Sequence, residues 1–309
     1  MFQDYLLFAS DVQTRYAFRV VHLSHLAQEA AKRHKLQGAK ALILADTLSS
    51  GVLIASILET EDRVNLRIQC GSEFTVASET TSQAQTRGYI EWTEDSEVMA
   101  RLESDRPSGA SVIVRSLKSI PETNKLTESI TQSYFDTVEQ VVNEHLDQSY
   151  QSNLKVRLES WYASENGDQT PEHLRAYGVI YLELPGLDAK VQSDLHRHID
   201  AFTGFRAAGA KVDDPDQLAP LLIPDPMRPI NSLKPHWSCT CSLASVETML
   251  MSLGSKELNE LAASQESTEI SCHYCKNNYT ISPERLLALS ISAGAQAATV
   301  KPSNSDDLN

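Results

Sequence analysis

The stretch Cys239-Thr240-Cys241, followed after thirty residues by Cys272-His273-Tyr274-Cys275, decides how this chain is read. Only one further cysteine, Cys70, occurs in the 309 residues. Clustering of this kind is not a secreted disulfide framework, which spreads many cysteines through a short chain. Two close pairs supply four thiolates, the donor set of a closed tetrahedral zinc site. The chain is therefore expected to hold one Zn2+ through Cys239, Cys241, Cys272 and Cys275. His236 and His273 flank the cluster, but four thiolates already complete a tetrahedron. With Lys234 and Lys276, these histidines can instead moderate the charge of a four-thiolate centre.

Outward from the cluster, residues 236 to about 292 form a unit of fewer than 60 residues. A core of that size is marginal without a staple, and metal binding supplies one. Thr240–Leu253 and Lys256–Ala262 read as short helices broken at Gly254-Ser255. Ser282-Pro283-Glu284 opens another, with serine as cap and proline in the first turn. The first pair has a single intervening residue, whereas usual zinc knuckles have two to four. Both pairs can close on themselves as disulfides, Cys239 with Cys241 and Cys272 with Cys275. Thiolates are the form that oxidants attack, so closure would remove all four ligands and most of the unit's stability together. That is a redox switch whose output is unfolding.

Before the cluster lies a proline-rich stretch, Gly204 to Pro235, with Pro215, Pro220, Pro224, Pro226, Pro229 and Pro235. It reads as a linker in extended or turn conformations. Its Leu218, Leu221, Leu222, Ile223, Met227 and Ile230 need cover, which suggests reversible docking on a neighbour. Asp188–Phe202 is an amphipathic helix with Val191, Leu195, Ile199 and Phe202 on one face. Residues 1–185 are expected to be α+β. Arg63–Cys70 and Leu154–Leu158 alternate as half-buried strands, with Cys70 a buried structural thiol. Thr86–Trp92 and Ala176–Leu184 are further strands. Ser24–His34 is a helix capped by Ser24, Ala41–Leu58 a buried helix, and Thr131–Leu146 has helical spacing. The expected organisation is a 1–185 N-terminal mixed sheet-and-helix domain, a 186–235 metastable linker, a 236–292 zinc-binding α+β domain and a 293–309 flexible tail.

Composition bounds the rest. Hydrophobic residues make up 41%, charged residues 22%, and mean hydropathy is -0.30, as in a globular chain. With 27 basic against 41 acidic residues the net charge is -14, which repels a phosphate backbone, so no nucleic-acid partner is expected. No run of 18 apolar residues occurs and no basic leader opens the chain, so neither a membrane span nor secretion is expected. No Gly-x-Ser-x-Gly, Walker, His-Glu-x-x-His or dinucleotide motif occurs, so no enzyme is expected.

The C-terminal residues Cys239-x-Cys241-Ser242, Met251-Ser252-Leu253-Gly254, Glu257-Leu258, Glu269-x-x-Cys272-x-x-Cys275 and Tyr279 resemble the bacterial redox-regulated holdase family, the 33 kDa chaperonin or heat-shock protein 33 type. Arg15, Ala30–His34, Ile43–Leu58 and Arg87-Gly88-Tyr89-Ile90 extend the resemblance over nearly the whole chain. It implies a cytoplasmic, ATP-independent chaperone, inactive when reduced and zinc-bound. Oxidant releases the metal, the zinc unit and linker unfold, and apolar surface captures unfolding client proteins. The oxidised form is commonly a homodimer. In such a family the stripe Val191, Leu195, Ile199 and Phe202 can be core in one state and client surface in the other. Departures include Leu243-Ala244-Ser245 where the family has a Glu-Arg pair, and the proline-rich linker. Alternatives are a divergent chaperone with weakened redox gating, a binding module with a permanent structural zinc site, and a thiol oxidoreductase.

Overall fold

Alternating strands wrapped around one long apolar helix build the larger part of the molecule. The computed structural model describes residues 3–58, 62–104, 106–120, 125–150, 153–164, 166–209 and 215–299. The chain divides into two compact units, residues 1–238 and 239–309.

In the first unit, an antiparallel five-stranded sheet runs in the order β10 (Met227–Leu233), β1 (Tyr5–Asp11), β2 (Tyr16–His22), β9 (Leu174–Glu183), β8 (Leu154–Tyr162). A six-stranded sheet runs β11 (His236–Trp237), β5 (Gln85–Trp92), β4 (Phe74–Thr81), β3 (Arg63–Cys70), β6 (Ala110–Ile120), β7 (Lys125–Phe135). The expected alternation holds in β3, where Val64, Leu66, Ile68 and Cys70 all face the core. Helix α2 (Gly38–Ala55) contacts β2, β8 and β9 of the first sheet and β3, β4 and β5 of the second. It is long and apolar enough to cross a membrane by composition, but it is the buried core helix. A helix apolar on all sides must be covered on all sides. Two glycines let it approach both sheets. A Cβ on Gly88 would lie 2.8 Å from the Ala77 carbonyl oxygen and from Leu48, and one on Gly178 would lie 2.9 Å from Leu158 and Leu53.

Several local expectations change. Helix α1 spans Ser24–His34, but Ser24 does not cap it. Its hydroxyl instead meets His22 Nε2 at 2.8 Å and accepts from the Ala176 amide, tying the helix to β9. Thr131–Leu146 is not one helix: β7 runs through Phe135, and α4 (Val138–Ser149) starts after Thr137, whose Oγ1 accepts from the Gln140 amide. Helix α3 (Glu97–Glu103) is capped in the same way by Ser96.

The segment 186–235 does not stand apart as a linker. Helix α5 (Ala189–Ala201), capped by Asp188, α6 (Phe205–Ala208), α7 (Pro215–Leu222) and β10 all belong to the first unit. Leu195, Ile199, Phe202, Phe205, Leu218, Leu222 and Ile223 form a second core with Tyr16, Phe18, Tyr177 and Tyr181. Prolines did not exclude order here. Pro215 opens α7, where its missing amide costs nothing, and Pro229 sits in β10, an edge strand. The Tyr181 hydroxyl donates to the Leu222 carbonyl at 2.9 Å, and Arg157 Nη1 donates to the Ile199 carbonyl at 2.9 Å. Asp11 accepts from Arg15 Nε at 2.7 Å, Arg15 reaches Asp225 at 2.7 Å, and the Tyr16 hydroxyl donates to Asp225 at 2.9 Å.

The boundary of the second unit also moves. His236 and Trp237 pair in parallel with Gln85 and Thr86, so they complete the six-stranded sheet. The second unit holds α8 (Leu243–Met251), α9 (Ser255–Ala263), the hairpin β12 (Thr268–Ser271) and β13 (Asn278–Ile281), and α10 (Pro283–Thr299). Helix α8 starts three residues later than expected because Ser242 caps it, accepting from the Ser245 amide at 3.1 Å. The expected tail from 293 is helical to Thr299, and Ser303–Asn309 lie outside the described residues. The fold is thus the expected α+β class.

Candidate metal centre

Local chain geometry brings the four cysteines together. Cys239 and Cys241 lie just before the Ser242 cap of α8. Cys272 and Cys275 lie in the turn joining β12 to β13, whose register runs from Thr268 opposite Ile281 to Ser271 opposite Asn278. The Cys272 amide donates to the Asn277 carbonyl and the Lys276 amide to the Cys272 carbonyl, both at 2.9 Å. Lys276 takes the left-handed conformation, φ 59°, that closes this knuckle. The turn presents both sulfurs on one side while their backbone groups remain hydrogen-bonded.

All four Sγ atoms lie within 4.8 Å of one another. Cys239 and Cys272 are 3.8 Å apart and Cys241 and Cys275 are 3.2 Å apart. Tetrahedral bonds of about 2.3 Å place sulfurs about 3.8 Å from each other. The donor set therefore fits a single tetrahedral ion. Its electrostatics point the same way. Burial pushes the Cys275 thiol up to about 12 and the Cys241 thiol upward as well, and sulfur neighbours add to the cost of charge. Four sulfurs this close cannot ionise together without a cation among them. Among the described residues, neither His236 nor His273 joins the group.

Two supporting contacts escaped the sequence reading. The Tyr279 hydroxyl donates to Cys241 Sγ at 3.1 Å. Tyr279 is one of the residues that carry the family resemblance, but nothing in the sequence says that its hydroxyl faces a sulfur. Arg285 clamps Glu247 through two contacts of 2.6 Å, joining α10 to α8. Around them Val246, Leu250, Leu258, Ala262, Ile281, Leu286, Leu289 and Ala293 form the unit's own small core.

The stripe considered for clients is core in this structure. Leu195, Ile199 and Phe202 are buried and Val191 packs against them. Cys70 is buried at the end of β3 and is not a member of the four-cysteine group.

Comparison with known proteins agrees with this geometry. The Hsp33 protein family model matches residues 4–282. The 33 kDa chaperonin of Bacillus mycoides is 22% identical, covering 93% of this chain and 98% of the relative. That of Bacillus velezensis is 20% identical over 92% and 97%. The crystal structure of the 33 kDa chaperonin (heat shock protein 33 homolog) from Thermotoga maritima superposes with a TM-score of 0.75 at 15% identity, covering 95% of this chain and 99% of that one. A match across nine-tenths of the chain, joined to the shared architecture and a four-sulfur cluster, makes this chain a member of the Hsp33 protein family.

Proposed function

We propose that the protein is a redox-gated, ATP-independent holdase of the cytoplasm that captures unfolding proteins under oxidative and heat stress. The observation that carries this reading is the set of four sulfurs within 4.8 Å in a unit with a core of eight buried apolar residues. When bound, one zinc ion per chain would neutralise the thiolates and cross-link α8 to the β12–β13 hairpin.

The chemistry belongs to the sulfurs. Two equivalents of peroxide or hypochlorite, one per cysteine pair, each accept two electrons; one S–S bond forms per pair, Cys239–Cys241 and Cys272–Cys275, and the oxidant leaves as water, or as water and chloride. In the folded state all four sulfurs lie within 4.8 Å of one another, well beyond the roughly 2.05 Å of an S–S bond. Closure within either pair therefore needs its sulfurs to move out of the four-sulfur arrangement, which is how disulfide formation would be linked to loss of the site. Release of the 186–235 segment would then uncover Val191, Leu195, Ile199 and Phe202 as client surface. The family's chaperone name supports client binding, and the homodimer is proposed for the oxidised form. The net charge of -14 argues against nucleic acid as a partner.

Native mass spectrometry of reduced protein should show one zinc per chain. Oxidant should release it while light scattering by a heat-denatured client falls. Retained zinc and unchanged circular dichroism after oxidation would favour a permanent structural zinc module. Zinc release without client protection would favour a member with altered gating. Turnover in a disulfide-reduction assay would favour a thiol oxidoreductase.

A further inference from the structure

The edges of the two sheets are not treated alike. In β10, Pro229 interrupts the ladder and the register with β1 shifts between Phe8 and Ala9. β11 is only two residues long and follows Pro235. β8 carries Lys155, Arg157 and Glu159 and is contacted by α4 and α6. Short strands, prolines, bulges, charges and cover are the devices that keep sheet edges from pairing.

β7 lacks the shortness, the prolines and the bulge; it carries Lys125 and Glu128, and α4 covers its inner face. It is 11 residues long, contains no proline, and keeps an unbroken register with β6 from Ala110 opposite Phe135 to Ile120 opposite Lys125. Among the described residues, no strand pairs with its other side. Thr131, Ser133 and Phe135 face inward. Their alternates project from the outer face: Leu126 is 64% exposed, Ile130 54% and Tyr134 66%. An exposed, long and apolar edge is a template for another strand.

The spacing of these residues selects the partner. Consider an antiparallel copy related by a two-fold axis at Ile130. Ile130 then faces Ile130 of the second copy, and Leu126 faces Tyr134 twice. Glu128 faces Gln132, so no like charges oppose each other, and Lys125 lies beside Asp136 of the second copy. Apolar and aromatic pairs directly across an antiparallel ladder are the favourable ones. A two-fold interface requires this kind of self-complementarity.

We infer that β7 is the seam of a homodimer, two copies joining their six-stranded sheets edge to edge about Ile130. The inference rests on the homodimer reading but not on the metal or redox reading. A seam made mainly of one strand pair sits at the small, transient end of protein interfaces, so association on the order of 10 μM is expected.

Sedimentation velocity on the full chain from low to high micromolar concentration tests this, under reducing conditions and again after oxidation. Non-reducing electrophoresis identifies disulfide-linked species. Ile130→Lys places two ammonium groups at the axis and should weaken the dimer about tenfold or more, with an unchanged melting curve because the site is exposed. Leu126→Lys and Tyr134→Glu should each weaken it. The double variant should recover association, because each lysine then faces a glutamate. A dimer unaffected by Ile130→Lys would overturn the seam and leave the homodimer reading intact. A wild type monomeric in both redox states would overturn both. A monomer that loses binding of an extended client peptide on Ile130→Lys would make the edge a peptide site and overturn the inference.

Discussion

The phenol of Tyr279 points at the sulfur of Cys241, 3.1 Å away, from the strand that leaves the second cysteine pair. The contact joins the two cysteine pairs through a residue that is not itself a candidate ligand. A hydrogen bond to a ligating sulfur stabilises its thiolate and holds its direction.

Tyr279→Phe should keep the fold and lose that donor. Outer-shell partners typically contribute 10–100-fold to metal affinity. A loss of about tenfold is expected here, measured by competition with a chromophoric chelator. The sulfur that loses its donor should also oxidise at lower peroxide. An unchanged affinity would show that the hydroxyl contributes nothing.

Metal withdrawal has a spectroscopic signature built into the sequence. The three tryptophans, Trp92, Trp161 and Trp237, all precede residue 239, whereas Tyr274 and Tyr279 lie in the second unit. Chelation of the reduced protein should remove the helical signal of α8, α9 and α10 while leaving Trp92 and Trp161 emission in place. A simultaneous collapse of tryptophan emission would mean that the larger unit depends on the metal too.

Helices and alternating strands were legible where one physical signal dominated. β3 showed a clean period of two, and α2 showed continuous apolar character with no strand break. β7 and α4 were merged because Tyr134 and Phe135 happen to continue the helical spacing of Val138, Val141 and Val142. The Thr137 cap that separates them is a single hydroxyl. The proline-rich stretch was misread for a related reason. Proline disfavours a helix interior and a central strand; Pro215 and Pro229 occupy positions that tolerate it, whereas Pro220 lies inside α7, where the burial of Leu218, Leu222 and Ile223 outweighs its cost. The gathering of the four cysteines was legible, because two close pairs in a small unit are the residue type and spacing that a shared site needs. The Tyr279 contact was not, since nothing in a lone tyrosine states which atom it faces.

Acid stability should depend on a buried histidine. His145 lies with Nδ1 2.9 Å from Thr131 Oγ1 and Nε2 2.8 Å from Ser116 Oγ, and burial lowers it from 6.5 to about 4. The unfolded chain therefore binds this proton more tightly than the folded one. Its stabilising effect is intact above pH 6.5 and is lost as pH falls toward 4. The group is fully buried, so the loss across that window is on the order of 3 kcal/mol. His145→Asn should lower stability at pH 7 yet flatten its dependence between pH 6.5 and 4 in urea melts. An equally steep dependence in the variant would place the titration elsewhere.

The last prediction concerns what keeps the 186–235 segment docked. Asp225 holds its turn to the first hairpin through Arg15 and the Tyr16 hydroxyl, both within 3 Å. Asp225→Asn keeps the size of the side chain and removes the charge that Arg15 meets. Both groups are partly exposed, so the effect on global stability should be small and screened by salt. Its local effect should be larger, because Leu218, Leu222 and Ile223 are buried only while this segment stays in place. Hydrogen exchange of α7 and β10 should accelerate in the variant, with α2 unchanged and metal retained. If client protection also appears at lower oxidant, docking of this segment limits activation. If exchange accelerates while the oxidant requirement stays fixed, the limit lies in the cysteine unit alone.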